Sequence, residues 1–483
     1  MQTNLNEIQK VLITHGYSIN SIISDVMRTF KFRSLCHKVG FKKQEGYSVT
    51  DIITLLLVFP LMLLNSVNAF FKSDYQKVTE MKKDALYRLK NNERMPWRSL
   101  LLNVSKQFQR LVNPEQKVAD KAAFILDDTV DSRVGRKMEN ITYIHDHVAS
   151  RVKKTLGFKN LTLGFFDGKT MIPLDFSLHS EKKLKAKYRK EQFQKRCIPC
   201  SNGQKRRKEC TVDKITNGIR MIKRAVKHGF KAKYVLVDSW FSSKGFIQSM
   251  IEIKSQALHI ICAVRKDKRN YIYNGSKLNA KQLLSTLKKE GKEKRCRKRN
   301  TRYFEVIVDY EGVGEVKLYF CRFPFQKDWK LYLSTDPALS FLAMMEIYSV
   351  RWTIEIFFRE TKQYLKLGKC QSRDFDAQIA HVTTTYILYV FLAYFRRVND
   401  YETLGGLFEH VKDEMIEKSL AERLWDMFEE LLQVVITAIS ESGSVDIKTF
   451  KNSPEYQELK ELFEHSFLGN QLFRNEKGKP VFK

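Results

Sequence analysis

From Ala122 onward the chain alternates short apolar runs with stretches of helical spacing, and that alternation restricts the fold to a mixed α/β sheet. Ala122-Ala123-Phe124-Ile125-Leu126 reads as a buried strand that runs straight into Asp127-Asp128-Thr129. Asn160 to Phe166, Met171 to Leu178, Tyr234 to Val237 and Ile260 to Val264 read as further strands, with helices over Asp213 to His228 and Ser243 to Ile253. Two of these strands end in an acid, Asp127 and Asp238, and strand ends are where α/β sheets present functional side chains.

The rest of the chain is arranged around that sheet. Residues 1–115 lack strand-like alternation, mix basic and aromatic residues, and read as a helical DNA-binding domain; residues 116–264 form the first part of the α/β core. Residues 265–330 are lysine-rich and strand-prone, with Arg302 to Tyr310 and Gly314 to Phe320 as a hairpin, and read as an inserted β-rich subdomain. Residues 331–397 resume the core, and residues 398–483 read as a helical, acidic C-terminal domain for protein contacts that ends in a basic tail. The resumed core contains a helix-length stretch in which Tyr348, Arg351, Glu355 and Lys362 stand at offsets of three, seven and fourteen. These are close to whole turns of a 3.6-residue helix, so the four polar groups share a face, flanked by Trp352, Ile354, Ile356, Phe357 and Phe358 as the expected buried side. Trp352 in particular reads as core, and Glu346 and Glu360 as solvated or structural.

Charge identifies the partner class. The 483 residues carry 85 Lys+Arg against 54 Asp+Glu, a formal net charge of +31. Self-repulsion of that size opposes compaction and is offset when phosphates are bound, which favours nucleic acid first and an anionic membrane second. The basic residues are spread over Lys182 to Lys190, Lys205 to Lys208 and Lys288 to Arg302, as suits a track along a duplex. No membrane span is expected: Ile52 to Phe71 is long enough but holds Pro60, Asn65 and Asn68 and reads as a buried helix pair, and Val382 to Phe395 reads as a core helix. Eight cysteines without a secretory leader read as reduced thiols of a cytoplasmic protein. Cys197, Cys200 and Cys210 could supply three zinc ligands, but no fourth lies close in sequence, so an ordinary polar loop is expected. His145-Asp146-His147 is read as a DNA contact or a buried hydrogen bond before a ligand set.

Asp127, Asp238 and Glu355 are the three carboxylates on candidate cleft positions. Brought together they repel and take up protons unless cations neutralise them, and hard oxygen donors select Mg²⁺ or Mn²⁺. Two such ions about 3.5–4 Å apart activate a water or a 3′-hydroxyl for in-line attack on a phosphodiester. Asp127 and Asp128 are neighbours on a strand, so only one of them faces any given site.

Tyr-x2-Arg-x3-Glu-x6-Lys, here Tyr348, Arg351, Glu355 and Lys362, is similar to the signature of the insertion-sequence-four family of bacterial DDE transposases. Phe124 to Thr129 resembles that family's first catalytic strand, and Tyr234 to Phe241 its second. The likeness covers about half of the chain, from Ala122 to Cys370. It implies an RNase H-like mixed sheet with helices on both faces, interrupted by a β-rich insertion and flanked by helical N- and C-terminal domains. It implies Asp127, Asp238 and Glu355 as catalytic residues and ligands of two Mg²⁺ ions, with Mn²⁺ able to substitute. The family's Asp-x-Thr or Asp-x-Ser pattern selects Asp127 over Asp128. DNA contacts are implied for Tyr348, Arg351 and Lys362, and a base-stacking role for Trp329. Cut-and-paste transposition through a hairpin on double-stranded DNA, by a homodimer that synapses two element ends, is the implied activity.

Overall fold

The computed structural model describes residues 25–41, 46–60, 66–72, 81–145, 154–181, 190–253, 255–324, 326–398 and 454. Among the described residues, the helices α1 (Phe32–Val39), α2 (Val49–Val58), α3 (Val67–Phe70), α4 (Lys83–Lys90) and α5 (Trp97–Val112) precede the sheet. Helix α2 is largely apolar and buried, and it stops before Pro60. Helix α3 begins at Ser66, whose hydroxyl accepts from the Ala69 N–H at 3.1 Å. The apolar stretch from Ile52 to Phe71 is therefore broken as expected, and no helix among the described residues is long and apolar enough to cross a membrane.

The strands are β1 (Ala123–Ser132), β2 (Thr142–His145), β3 (Lys154–Phe166), β4 (Met171–His179), β5 (Tyr234–Val237), β6 (His259–Val264), β7 (Asn270–Tyr273), β8 (Ser276–Asn279), β9 (Lys294–Cys296), β10 (Thr301–Tyr310), β11 (Gly314–Arg322) and β12 (Lys330–Ser334). Helices α6 (Asn202–Glu209) and α7 (Lys214–Lys227) lie between β4 and β5, α8 (Lys244–Ile251) between β5 and β6, and α9 (Ala280–Lys289) between β8 and β9. After β12 come α10 (Phe341–Ser349), α11 (Trp352–Gln363) and α12 (Phe375–Val398). All twelve strands belong to one sheet. At its centre β1 pairs in parallel with β5 and β5 with β6, while β3 and β4 extend from β1 as antiparallel strands. This mixed sheet, with helices on both faces, is the RNase H-like class expected.

Each face has its own cover. On one side α7 approaches so closely at Gly218 that a Cβ there would lie 2.4 Å from Cδ2 of Leu126. On the other, the buried Tyr386 hydroxyl of α12 bonds Thr162 Oγ1 at 2.7 Å and accepts from Asn160 Nδ2 at 3.1 Å. Helix α12, which contains the expected core stretch Val382 to Phe395, is buried along most of its length.

Some elements depart from expectation. Strand β1 continues through Asp127 to Ser132, because β3 begins as early as Lys154 and pairs with it antiparallel over its whole length. The β-rich residues after Val264 join the same sheet: β12 pairs with both β6 and β11, and β10 and β7 follow outward. The stretch from Tyr348 to Lys362 is two helices, not one. Between them Val350, Arg351, Thr353 and Ile354 bond back to carbonyls three residues earlier, and the Ser349 and Thr353 hydroxyls donate to the carbonyls of Glu346 and Val350. Hydroxyls that compete for helix carbonyls in this way tighten the turn. Within α11, Trp352 and Ile356 share the side opposite Ile354, Phe357 and Phe358, and they face solvent, 59% and 41% exposed, instead of joining the core. The basic segment at 182–189, positions 146–147 and the expected C-terminal domain with its tail fall outside the described residues, apart from positions 398 and 454.

Candidate active site

The parallel ladder of β1 and β5 ends with the pair Leu126 and Val237. Asp127 is the next residue of β1 and Asp238 the first residue after β5, so both carboxylates emerge where the two strands part. Asp238 opens a turn in which its Oδ1 accepts from the Trp240 N–H at 2.9 Å and its carbonyl accepts from the Phe241 N–H at 3.3 Å. The polar stripe of α10 and α11 lies against the same place. Tyr348 donates its hydroxyl to the Val237 carbonyl at 3.3 Å. Arg351 spans two acids, with Nη1 2.8 Å from Asp127 Oδ2 and Nη2 2.5 Å from Glu355 Oε1. Lys362 donates to Thr129 Oγ1 at 2.6 Å and to the Val130 carbonyl at 2.8 Å. An open cleft of about 1170 Å³ runs along this edge, lined by Asp127, Asp128, Lys214, Asp238, Trp240 and Lys362 among others.

The two neighbouring acids of β1 behave oppositely. Asp127 points toward α11, and burial pushes its carboxyl up to about 7 against the pull of Arg351, with the like charge of Asp238 adding to the rise. Asp128 points to the α7 side, where Lys214 lies 2.5 Å and Lys159 3.4 Å away. Those two ammonium groups outweigh its burial and hold its carboxyl below the usual range. Asp128 is thus neutralised by the protein itself, whereas Asp127 shares one guanidinium with Glu355.

As placed, no three His, Cys, Asp or Glu side chains among the described residues stand together to hold a metal ion. The donor chemistry at Asp127 and Asp238 nevertheless fits a hard divalent cation. Both are oxygen donors just past the end of the β1–β5 ladder, and the rise at Asp127 comes from burial and a like charge that such a cation relieves. Glu355 is drawn onto Arg351 and joins that pair only if the guanidinium moves.

Trp329 is not brought to the cleft. It is 7% exposed, packs 5.1 Å from Phe304, and has Arg322 and Lys288 over its ring at 5.2 and 5.6 Å. The three loop cysteines do not cluster: Cys210 is buried and bonded to the Ser180 hydroxyl at 2.9 Å, while Cys200 is exposed. Glu346 pairs on the surface with Lys121 and Lys298, and Glu360 is buried beside the Tyr389 hydroxyl. Sequence reasoning missed two partners of the cleft, Lys159 and Lys214, and the exposed ring of Trp240. Position two after Asp238 was the one available signal for Trp240; nothing in the sequence marks the two lysines, which reach Asp128 from a different strand and helix.

No curated protein matches the chain. Residues 76–285, which include Asp127 and Asp238 and end before Glu355, match the family described as DDE superfamily endonuclease, and the match supports a DDE transposase-like family with nuclease or transposase-type activity.

Proposed function

We propose that the chain is a DNA transposase of the insertion-sequence-four type, which binds the terminal inverted repeats of a mobile element and cuts and joins DNA strands in a Mg²⁺-dependent reaction. The observation that carries this reading is the emergence of Asp127 and Asp238 side by side where β1 and β5 part, with Glu355 tied to Asp127 through Arg351. Asp127, Asp238 and Glu355 would hold two Mg²⁺ ions, or Mn²⁺ in their place, which activate the attacking oxygen and stabilise the leaving one. Arg351 exchanges its carboxylate partners for a DNA phosphate, which a guanidinium binds in two-point fashion. Lys362, already beside Thr129 on the same strand, supplies a second cation for the backbone, and Tyr348 fixes the turn that carries Asp238. The substrate is double-stranded DNA at the element ends and the target, a homodimer synapses the two ends, and the reaction takes place on cytoplasmic, nucleoid-associated DNA. The route runs through a hairpin intermediate.

The test uses the full chain with Mg²⁺ and a fragment carrying the DNA that flanks the gene, where terminal inverted repeats are expected. Nicks and hairpins are expected from the wild type and lost in Asp238→Ala and Glu355→Gln. Products that persist unchanged in both variants would overturn the assignment. One observation favours a second reading, a DNA-binding protein that no longer cuts: Arg351 already pairs with two of the three acids. Salt-sensitive binding of the repeats without any nicking in Mg²⁺ or Mn²⁺ would select it.

A further inference from the structure

Trp240 is 46% exposed on the wall of the cleft, two residues beyond Asp238, and its exposure is built in. Its backbone N–H donates to the Asp238 carboxylate, and Phe241 and Ser242 on its far side are buried. The Ser242 hydroxyl donates to the Ser239 carbonyl at 2.8 Å, and Arg269 from beyond β6 donates to the Ser242 carbonyl at 2.5 Å. A loop tied down at every neighbouring residue holds the indole against the cleft instead of folding it into the core. Phe241 meets it edge-on, with ring centroids 6.0 Å apart, and the Lys214 ammonium stands 4.1 Å from its centroid. That ammonium lies over one face of the indole and also bonds Asp128 at 2.5 Å, and the exposed remainder of the ring next to a cation matches the two halves of a nucleotide, a base that stacks and a phosphate that pairs. Of the other tryptophans in the described residues, Trp97 and Trp329 are buried, and exposed Trp352 does not line this cleft.

We propose that Trp240 is the base-stacking face of the site, taking an unpaired base next to the reacting phosphate while Lys214, held in place by Asp128, turns its charge to that nucleotide's phosphate. This rests on the reading of DNA as substrate. Stacking on an indole favours an unpaired base by about 1–3 kcal/mol, about 5- to 150-fold in affinity, and sequence matters little because every base has a π-face.

The test compares a blunt duplex with the same duplex carrying a short oligo-dT tail whose first unpaired position is 2-aminopurine. Wild-type protein and Trp240→Phe are expected to prefer the tailed duplex about tenfold and to quench the 2-aminopurine. Trp240→Ala, with its thermal midpoint checked against wild type, is expected to lose most of both signals. Undiminished preference and quenching in folded Trp240→Ala overturns this inference and leaves the DNA reading standing. Failure of the wild type to bind either duplex overturns the DNA reading, and this inference with it.

Discussion

Arg351 and Asp127 meet at 2.8 Å, and the other arm of the same guanidinium holds Glu355 at 2.5 Å. The arginine thus stands where a cation is wanted, between two acids that cannot otherwise approach without repulsion. Removing it has opposite effects with and without metal. Arg351→Ala should be less stable than wild type in metal-free buffer, since a buried carboxylate loses its partner. It should also bind Mn²⁺ about tenfold more tightly, because no internal cation competes, and show a correspondingly larger rise in melting temperature on adding Mn²⁺. Titration calorimetry decides the matter: equal or weaker Mn²⁺ binding by the variant would refute competition at this site.

The raised carboxyl of Asp127 gives a pH dependence of defined sign. Its folded value of about 7 lies above its ordinary 3.8, so between these values the folded chain holds a proton that the unfolded chain has released. The group therefore costs stability progressively as pH rises from about 4 to about 7, and the loss is complete above. Asp127→Asn should be more stable than wild type at about pH 8 in the absence of metal. A metal ion must displace the same proton, so Mn²⁺ affinity of the wild type should fall about tenfold per pH unit below about 7. Affinity that is flat between about pH 5.5 and about 7.5 would contradict the assignment of this carboxyl to a cation site.

The neighbouring acid predicts a contrast. Lys159 is only 3% exposed in its side chain and depends on Asp128, which Lys214 shares. Asp128→Ala leaves that ammonium buried and unpaired, a change that costs about 3–5 kcal/mol. Urea unfolding should therefore show a large loss for Asp128→Ala and none of that size for Asp127→Asn, although the two residues are adjacent. Equal midpoints for the two variants would mean that β1 does not separate a structural acid from a functional one.

Much of this was legible from the sequence because it depends on local order. Short apolar runs closing on Asp127 and Asp238 mark where the parallel ladder of β1 and β5 stops, although β1 itself runs on, and strict alternation puts Asp127 and Asp128 on opposite faces whatever surrounds them. Helical spacing brought Tyr348, Arg351, Glu355 and Lys362 to one edge even though the backbone tightens between Ser349 and Trp352, since a single short turn rotates the stripe without dispersing it. What was not legible depends on packing across distance. The exposure of Trp352 depends on which flank of α11 packs against the core, the burial of Trp329 on strands that join the main sheet, and the pairing of Asp128 on lysines from β3 and α7. The partner chosen by Arg351 is equally a tertiary matter, because a guanidinium at that position can serve a phosphate or two carboxylates.

The antiparallel support of β1 gives the last prediction. Gly157 on β3 lies opposite Ser132, and a Cβ on it would fall 2.2 Å from the Asp131 carbonyl oxygen and 3.0 Å from the Ser132 Cα. Both are backbone atoms that cannot swing aside, so Gly157→Ala must push β1 away from β3. Overpacking of this kind costs about 1–3 kcal/mol. Gly245 in α8 is the counterpart, since a Cβ there meets nothing within 4 Å and its backbone is helical. Gly245→Ala should therefore stabilise the chain by up to about 1 kcal/mol through helix propensity and a less flexible unfolded state. The displaced segment of β1 contains Asp131 and Ser132, which line the cleft, so Gly157→Ala should also weaken Mn²⁺ binding at Asp127 while Gly245→Ala leaves it unchanged. Thermal unfolding and Mn²⁺ titration of the two variants side by side test both halves, and a Gly157→Ala protein as stable as Gly245→Ala would show that β1 and β3 are not in the register described.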